Sequence, residues 1–222
     1  MIKPTIQQTD NSFTNAAGVM GILNSRNNIL KNVAKNKPDA TLLPDISLFE
    51  KNSKGSLSNF IACLKNIGGA TYVVHDAAEI MKIITDKFDP EGRVFTEVPE
   101  IKTLITHKFA APQSGHELGD VEVGVIKAHF GVAENGAVWV TDDLLAFRAL
   151  PFICQHLAVI INEKDILPTM HEAYLHPSLS NYTYGSFIAG PSKTADIEQS
   201  LVLGAHGPKS MTVFVMLDDK SY

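Results

Sequence analysis

Residues 188–198 read IAGPSKTADIE. They crowd a Gly190-Pro191 turn, the hydroxyls of Ser192 and Thr194, the Lys193 ammonium and the carboxylates of Asp196 and Glu198 into one short stretch. A second turn follows, carrying Gly204, His206 and Gly207. Hydroxyls and an ammonium beside glycines are the groups that bind phosphates, and Gly185 to Ser192 nearly matches the pattern G-x-x-x-x-G-K-[ST]. Pro191 stands where that pattern needs its lysine, so both the ammonium and a backbone donor are missing. A nucleoside-triphosphatase is excluded. A smaller anion site stays open, because Ser192, Lys193 and Thr194 stand where a helix is expected to begin, with unpaired amides and the positive end of the dipole. The plainer reading has Thr194 as the helix cap, with Asp196 and Glu198 in the first turn. Two carboxylates in that position favour capping over a free anion.

Glu134 poses a similar choice. It heads a Glu134-Asn135-Gly136 turn and is either a solvated turn acid or, given the apolar runs on both sides, a half-buried general base or nucleophile. His129, His156 and His206 are spread through the same half of the chain. Their spacing matches no metal motif, there is no HExxH, and neither a metal nor a cofactor is expected. The GxSxG elbow and the GxGxxG fingerprint are also absent.

These residues need a scaffold, and the periodicities supply one. Residues 15–37 carry Val19, Ile22, Leu23, Ile29, Leu30 and Val33 at helical spacing, after a polar tail and before a Pro-containing connector. A second helix is expected over 56–69, capped by Ser56 or Ser58 and stopped by Gly68-Gly69. Residues 70–75 read as a strand, a helix opens on Asp76, and GRVFTEV reads as the next strand. Residues 102–118 show no clean period. VEVGVIKAHFGVAENGAVWVT reads as two β runs joined through the Asn-Gly turn. A strand over the second half of PFICQHLAVII precedes a helix over NEKDILPTMHEAYLH, with Pro168 near its start or at a kink. YGSFIAG and MTVFVML complete the strands. Strands alternating with helices predict an α/β fold with a mainly parallel sheet flanked by helices.

With 222 residues, 45% apolar and 19% charged, the chain can bury a substantial core. A net charge of −5 argues against a nucleic-acid partner. Cys63 and Cys154 lie too far apart for a paired motif and are too few for an iron-sulfur cluster. Without a disulfide framework, a signal peptide or an apolar run long enough to span a membrane, a cytoplasmic protein is expected.

Taken together, GVIKAHFGVAENGAV and AGPSKTADIEQSLVLGAHGP resemble the LUD (lactate-utilization) domain family, in its short lactate-utilization protein C-like branch. Members carry a GVT-x-AD-x-AIAETG segment, then a Pro and a His before a strand, then GPSRTADIE-x-x-LVLGVHGP. Glu134 and Gly136 match the first motif, and Pro151 and His156 the second. Gly190, Pro191, Ser192, Thr194, Asp196, Glu198, Gly204, His206, Gly207 and Pro208 match the third. The likeness runs from about Asp120 to Leu217 and more loosely further back. Ile126-Lys127 stands where the family often has Thr-Gly, His129 where it usually has Asp, and Lys193 replaces the common Arg. The resemblance divides the chain into residues 1–50, a tail, helix and connector, and residues 51–222, the LUD domain. It implies a fold similar to that of sugar-phosphate isomerases and CoA transferases; in CoA transferases a glutamate followed by Asn-Gly is the nucleophile, and Glu134-Asn135-Gly136 is similar.

The resemblance further implies a non-redox component of a bacterial system oxidising L-lactate to pyruvate. Its partners would be iron-sulfur oxidoreductase subunits, and its ligand a small organic anion. The alternatives are a stand-alone enzyme using Glu134 and a structural partner without a ligand. Glu134 is the candidate catalytic residue, and His156, Gly190, Ser192, Lys193, Thr194, Asp196, His206 and Gly207 are the candidate ligand-binding residues. Glu134, His156, Ser192 to Thr194 and His206 are expected to converge on one pocket at the carboxyl ends of the strands.

Overall fold

The computed structural model describes residues 16–42, 44–45, 56–89, 91–105, 112–195 and 201–217. The chain divides into two compact units, Met1–Asp45 and Ile46–Tyr222. In the first, α1 (Ala16–Lys35) realises the predicted helical period, and its Ile29, Leu30 and Val33 are exposed.

The second unit opens with α2 (Leu57–Asn66). Ser56 caps it by accepting from the Asn59 amide at 3.4 Å, and Phe60 and Leu64, one turn apart, are fully buried. After β1 (Ala70–Val74) comes α3 (Ala77–Lys87). Its cap Asp76 accepts from the Glu79 amide at 2.8 Å, while Glu79 accepts from the His75 amide at 2.8 Å. β2 (Arg93–Thr96), the single turn α4 (Pro99–Lys102) and β3 (Val121–Lys127) follow. Then come β4 (Phe130–Val132), β5 (Ala137–Thr141), α5 (Leu150–Ile153), β6 (His156–Asn162), β7 (Ile166–Leu167), α6 (Met170–Leu175), β8 (Gly185–Ile188), β9 (Lys193–Ala195), β10 (Leu201–Leu203) and β11 (Ser210–Met216).

Five strands form a parallel sheet in the order β1-β11-β6-β3-β2. Both of its faces are covered, which is why its strands read as nearly unbroken apolar runs. Leu157, Val159 and Ile161 of β6 pack with Phe60, Leu64 and Leu150, while Ala158 and Ile160 pack with Ile80, Ile84 and Ile101. The expected α/β fold is therefore present, with α2 and α5 on one face and α3 and α4 on the other. A second sheet runs β7-β4-β5-β8, and β9 pairs antiparallel with β10. Among the described residues no helix is long and apolar enough to cross a membrane.

Three local expectations change. The hairpin expected across the Asn135-Gly136 turn forms between β4 and β5, but residues 121–127 are not part of it, because the chain changes sheets between β3 and β4. The Ala128 amide still donates to Ile160 of the parallel sheet (3.0 Å), whereas the His129 amide donates to Trp139 of the second sheet (2.9 Å). Residues 163–176 are not one helix: they form a 3₁₀ turn, β7 and only then α6, capped by Thr169. Pro168 disfavours helical backbone at Leu167, so the helix begins after it. Finally, no helix starts at Thr194. It lies in β9 opposite Val202, because Leu201 to Leu203 provide a partner strand. Asp196 and Glu198, the acids expected in that helix's first turn, lie outside the described residues.

Candidate functional site

The Gly190 loop is shaped by α2. Gly190 has φ +75°, and a Cβ there would come within 2.8 Å of the Ile67 carbonyl oxygen. Pro191 and the end of the Lys193 side chain pass beside Gly68. The Ser192 amide donates to Pro208 at 2.9 Å, the Gly204 amide donates to Ser192 at 3.1 Å, and Gly207 packs against the Ser192 side chain. Both backbone groups of Ser192 are thus committed, leaving its hydroxyl as the group able to meet a ligand. His206 is exposed on the same turn.

From this turn the chain enters β11. The Lys209 amide donates to Gln155 at 2.8 Å, and Ser210 Oγ lies 2.7 Å from His156 Nδ1. His156 Nε2 stands 3.5 Å from Glu122, and its ring meets Phe88 at a centroid distance of 4.6 Å. Burial holds the His156 pKa below its ordinary value; Glu122 opposes that shift, and Lys209 and Lys87 add to it. Ser192 and Gly207 therefore touch each other just before β11, and His156 at the start of β6 reaches Ser210 at the start of β11.

Glu134 sits in the β4–β5 turn. The Asn135 side chain accepts from the Ala137 amide at 2.9 Å, and Gly136, with φ +69°, closes the turn onto Val132. A Cβ at Gly136 would lie 2.8 Å from both the amide nitrogen and Cα of Leu64. The Glu134 carbonyl accepts from the Cys63 thiol at 3.4 Å, and its exposed carboxylate accepts from the Met170 amide at 2.8 Å. The Glu134 turn and the Gly190–Lys193 loop thus share the C-terminal half of α2 as a support. No hydrogen bond joins Glu134 to Ser192, Lys193, Thr194 or His206 among the described residues.

The expected position at the carboxyl ends is corrected by the topology. β8 belongs to the second sheet, and the third motif leads directly into the first residue of β11, as the second leads into the first residue of β6. A segment entering a parallel strand must lie at that strand's amino end.

At the carboxyl ends the structure places groups that are not among the candidate site residues. A cavity of about 350 Å³ is lined by His75, Asp76, Glu100, Lys127 and Asn162 above Ile80, Val98, Ile101, Ile160 and Met216. Lys127 Nζ pairs with both carboxylate oxygens of Glu100, at 3.0 and 3.3 Å. Beyond Lys127 lies a second cavity of about 340 Å³, bordered by Glu97 and Asp143. Nearby, His129 Nε2 lies 2.5 Å from Thr141 Oγ1, which donates to Asp143. That hydroxyl holds the Asp143 carboxyl below its ordinary range, and His129 contributes to the same shift. The signal for these residues was positional. His75, Lys127 and Asn162 each immediately follow the last residue or form the end of an apolar strand run. Among the described residues no group of three His, Cys, Asp or Glu side chains is placed to hold a metal ion.

The LUD domain profile matches residues 57–216, a stretch holding all three sheets and both groups of residues. The chain belongs to the LUD domain family. It is 33% identical over 102 residues to the lactate utilization protein C of Geobacillus sp. (strain WCH70), a match covering 43% of this chain and 42% of that protein. It is 31% identical over 109 residues to the lactate utilization protein C of Shouchella clausii (strain KSM-K16), covering 45% of each. These matches span less than half the length of the curated relatives. The fold is similar to the crystal structure of a DUF162 family protein from Deinococcus radiodurans, with a TM-score of 0.51 at 17% identity, covering 73% of this chain and 96% of that one.

Proposed function

We propose that this LUD-domain chain is a component of a bacterial lactate-utilization system that acts without a redox group of its own. The observation that carries the reading is the family match over residues 57–216, together with relatives named lactate utilization protein C. Iron-sulfur oxidoreductase subunits are its proposed partners, in the cytoplasm, with residues 51–222 as the LUD domain. Its proposed ligand is a small organic anion at the motif residues, met by the Ser192 hydroxyl, the Lys193 ammonium, His156 and the Gly207 turn. The contact of Ser192 with Gly207 and the hydrogen bond of His156 to Ser210, two residues past Pro208, support this placement. Deleting the gene is expected to impair growth on L-lactate, with rescue by the wild-type chain and weaker rescue by Lys193→Ala. Normal growth and lactate consumption in a strain without a second copy would overturn the proposal.

A second reading, a stand-alone enzyme using Glu134, rests on one observation: the Met170 amide orients its carboxylate at 2.8 Å, although the side chain is exposed as a solvated turn acid is, not half-buried. Turnover of a CoA ester or a sugar phosphate that disappears in Glu134→Gln would support it; no turnover of either class would count against it.

A further inference from the structure

We propose that the crevice at the carboxyl ends of β1, β3, β6 and β11 is a second binding site, for an amphipathic organic anion with a carboxylate head and an apolar tail. It goes beyond the lactate reading, because none of its residues is among the candidate ligand-binding residues, and its Lys127 stands where the family often has another residue. His156 begins β6 and Asn162 ends it, so about 20 Å of strand separates the two places.

The head group has a cation to meet. Lys127 is the last residue of β3, and its side chain and that of Glu100 are 43% and 59% exposed. An ion pair this solvated contributes little, so an arriving carboxylate can displace Glu100 into water at small cost. Asn162 stands across the crevice with its amide oriented by a 2.6 Å hydrogen bond to Asp165. The other acid lining the cavity, Asp76, is committed to the α3 cap through the Glu79 amide. The tail has a floor to cover: Ile80, Ile101, Ile160 and Met216 are apolar, and the first three are 1%, 1% and 6% exposed. About 350 Å³ lies within the range of roughly 300–1,000 Å³ usual for small-molecule sites. A three-carbon acid held at Lys127 would leave most of the cavity beside these side chains unfilled, whereas a longer acyl chain fills it with apolar surface.

Calorimetric titration of the full chain with butanoate, hexanoate, octanoate and neutral hexan-1-ol tests the proposal. Affinity is expected to rise roughly fifteenfold for each added pair of methylenes, the transfer free energy of two buried CH₂ groups. Hexanoate should bind more tightly than hexan-1-ol, lose about tenfold in Lys127→Met and keep its affinity in Lys127→Arg. Ala77→Phe, which fills the crevice from its wall, should abolish binding while circular dichroism stays native. Lys193→Ala should leave the hexanoate affinity unchanged while still weakening rescue of growth on L-lactate, which separates this site from the lactate reading. No binding of any acid, no dependence on chain length, or unchanged affinity in Lys127→Met would each overturn the proposal. So would loss of binding in Lys193→Ala, which would move the anion to the motif residues.

Discussion

Replacing Gly136 by Ala tests the packing that holds the Glu134 turn. Two costs add. An L-residue at φ +69° is strained by about 1–2 kcal/mol. The new methyl would also lie 2.8 Å from the backbone of Leu64, in the last turn of α2, where the side chain is fully buried. Backbone cannot rotate aside as a side chain can, so α2 must shift, and overpacking of this kind costs about 1–3 kcal/mol. The total, about 2–5 kcal/mol, corresponds to a Tm lower by about 4–20 °C for a chain of this size. Trp139 is the single tryptophan, 3% exposed in the strand beyond the turn, so its fluorescence in urea reports the unfolding. Gly119→Ala is the control. Its φ is −65°, and the nearest atom to a new methyl is 3.7 Å away, so a change within about 0.5 kcal/mol is expected. Equal stability of Gly136→Ala and wild type would refute the argument that the turn is clamped against α2.

Other outcomes follow from burial and charge. Phe60 is fully buried between α2 and the sheet, so Phe60→Ala should lower the unfolding free energy by about 3–5 kcal/mol in denaturant titrations; a loss under 1 kcal/mol would contradict the packing. Because burial holds His156 below its ordinary pKa of 6.5, the unfolded chain takes up that proton more readily than the folded one. Its stabilising contribution is complete above pH 6.5 and is lost as the pH falls through the folded-state value. Urea midpoints should therefore drop between pH 7.5 and 5.5, and less in His156→Gln; identical slopes would refute the assignment. Burial also pushes the Cys154 thiol up to about 12. At pH 8 a thiol reagent should modify one cysteine quickly in the folded chain and both in urea, and two fast thiols in the native state would show that Cys154 is accessible.

Local chemistry was legible in the residues themselves. Ser56 and Asp76 cap helices because a short oxygen-bearing side chain can reach the third amide, whatever lies around it. The Asn135-Gly136 turn forms because its side-chain and backbone preferences are satisfied within a few residues. The apolar runs of β6 and β11 announced strands covered on both faces, and the GPSKTADIE and GAHGP segments carried the family.

Tertiary structure decided what these elements were joined to. Thr194 followed by acids has the composition of a helix start, yet pairing with Leu201 to Leu203 made it a strand, because a partner strand outweighs a capping preference worth about 1 kcal/mol. FGV of β4 and GSFI of β8 have the same local period in either sheet, so only long-range pairing assigned them to the second. That assignment moved the Gly190 loop to the amino ends of the parallel strands. It left the carboxyl ends to His75, Lys127 and Asn162, which come from three separate strand ends and meet only because β1, β3 and β6 lie parallel in one sheet. Caps and turns are settled by neighbours in sequence, whereas the end of a sheet at which a residue stands depends on strand order and direction, which no short stretch of sequence contains.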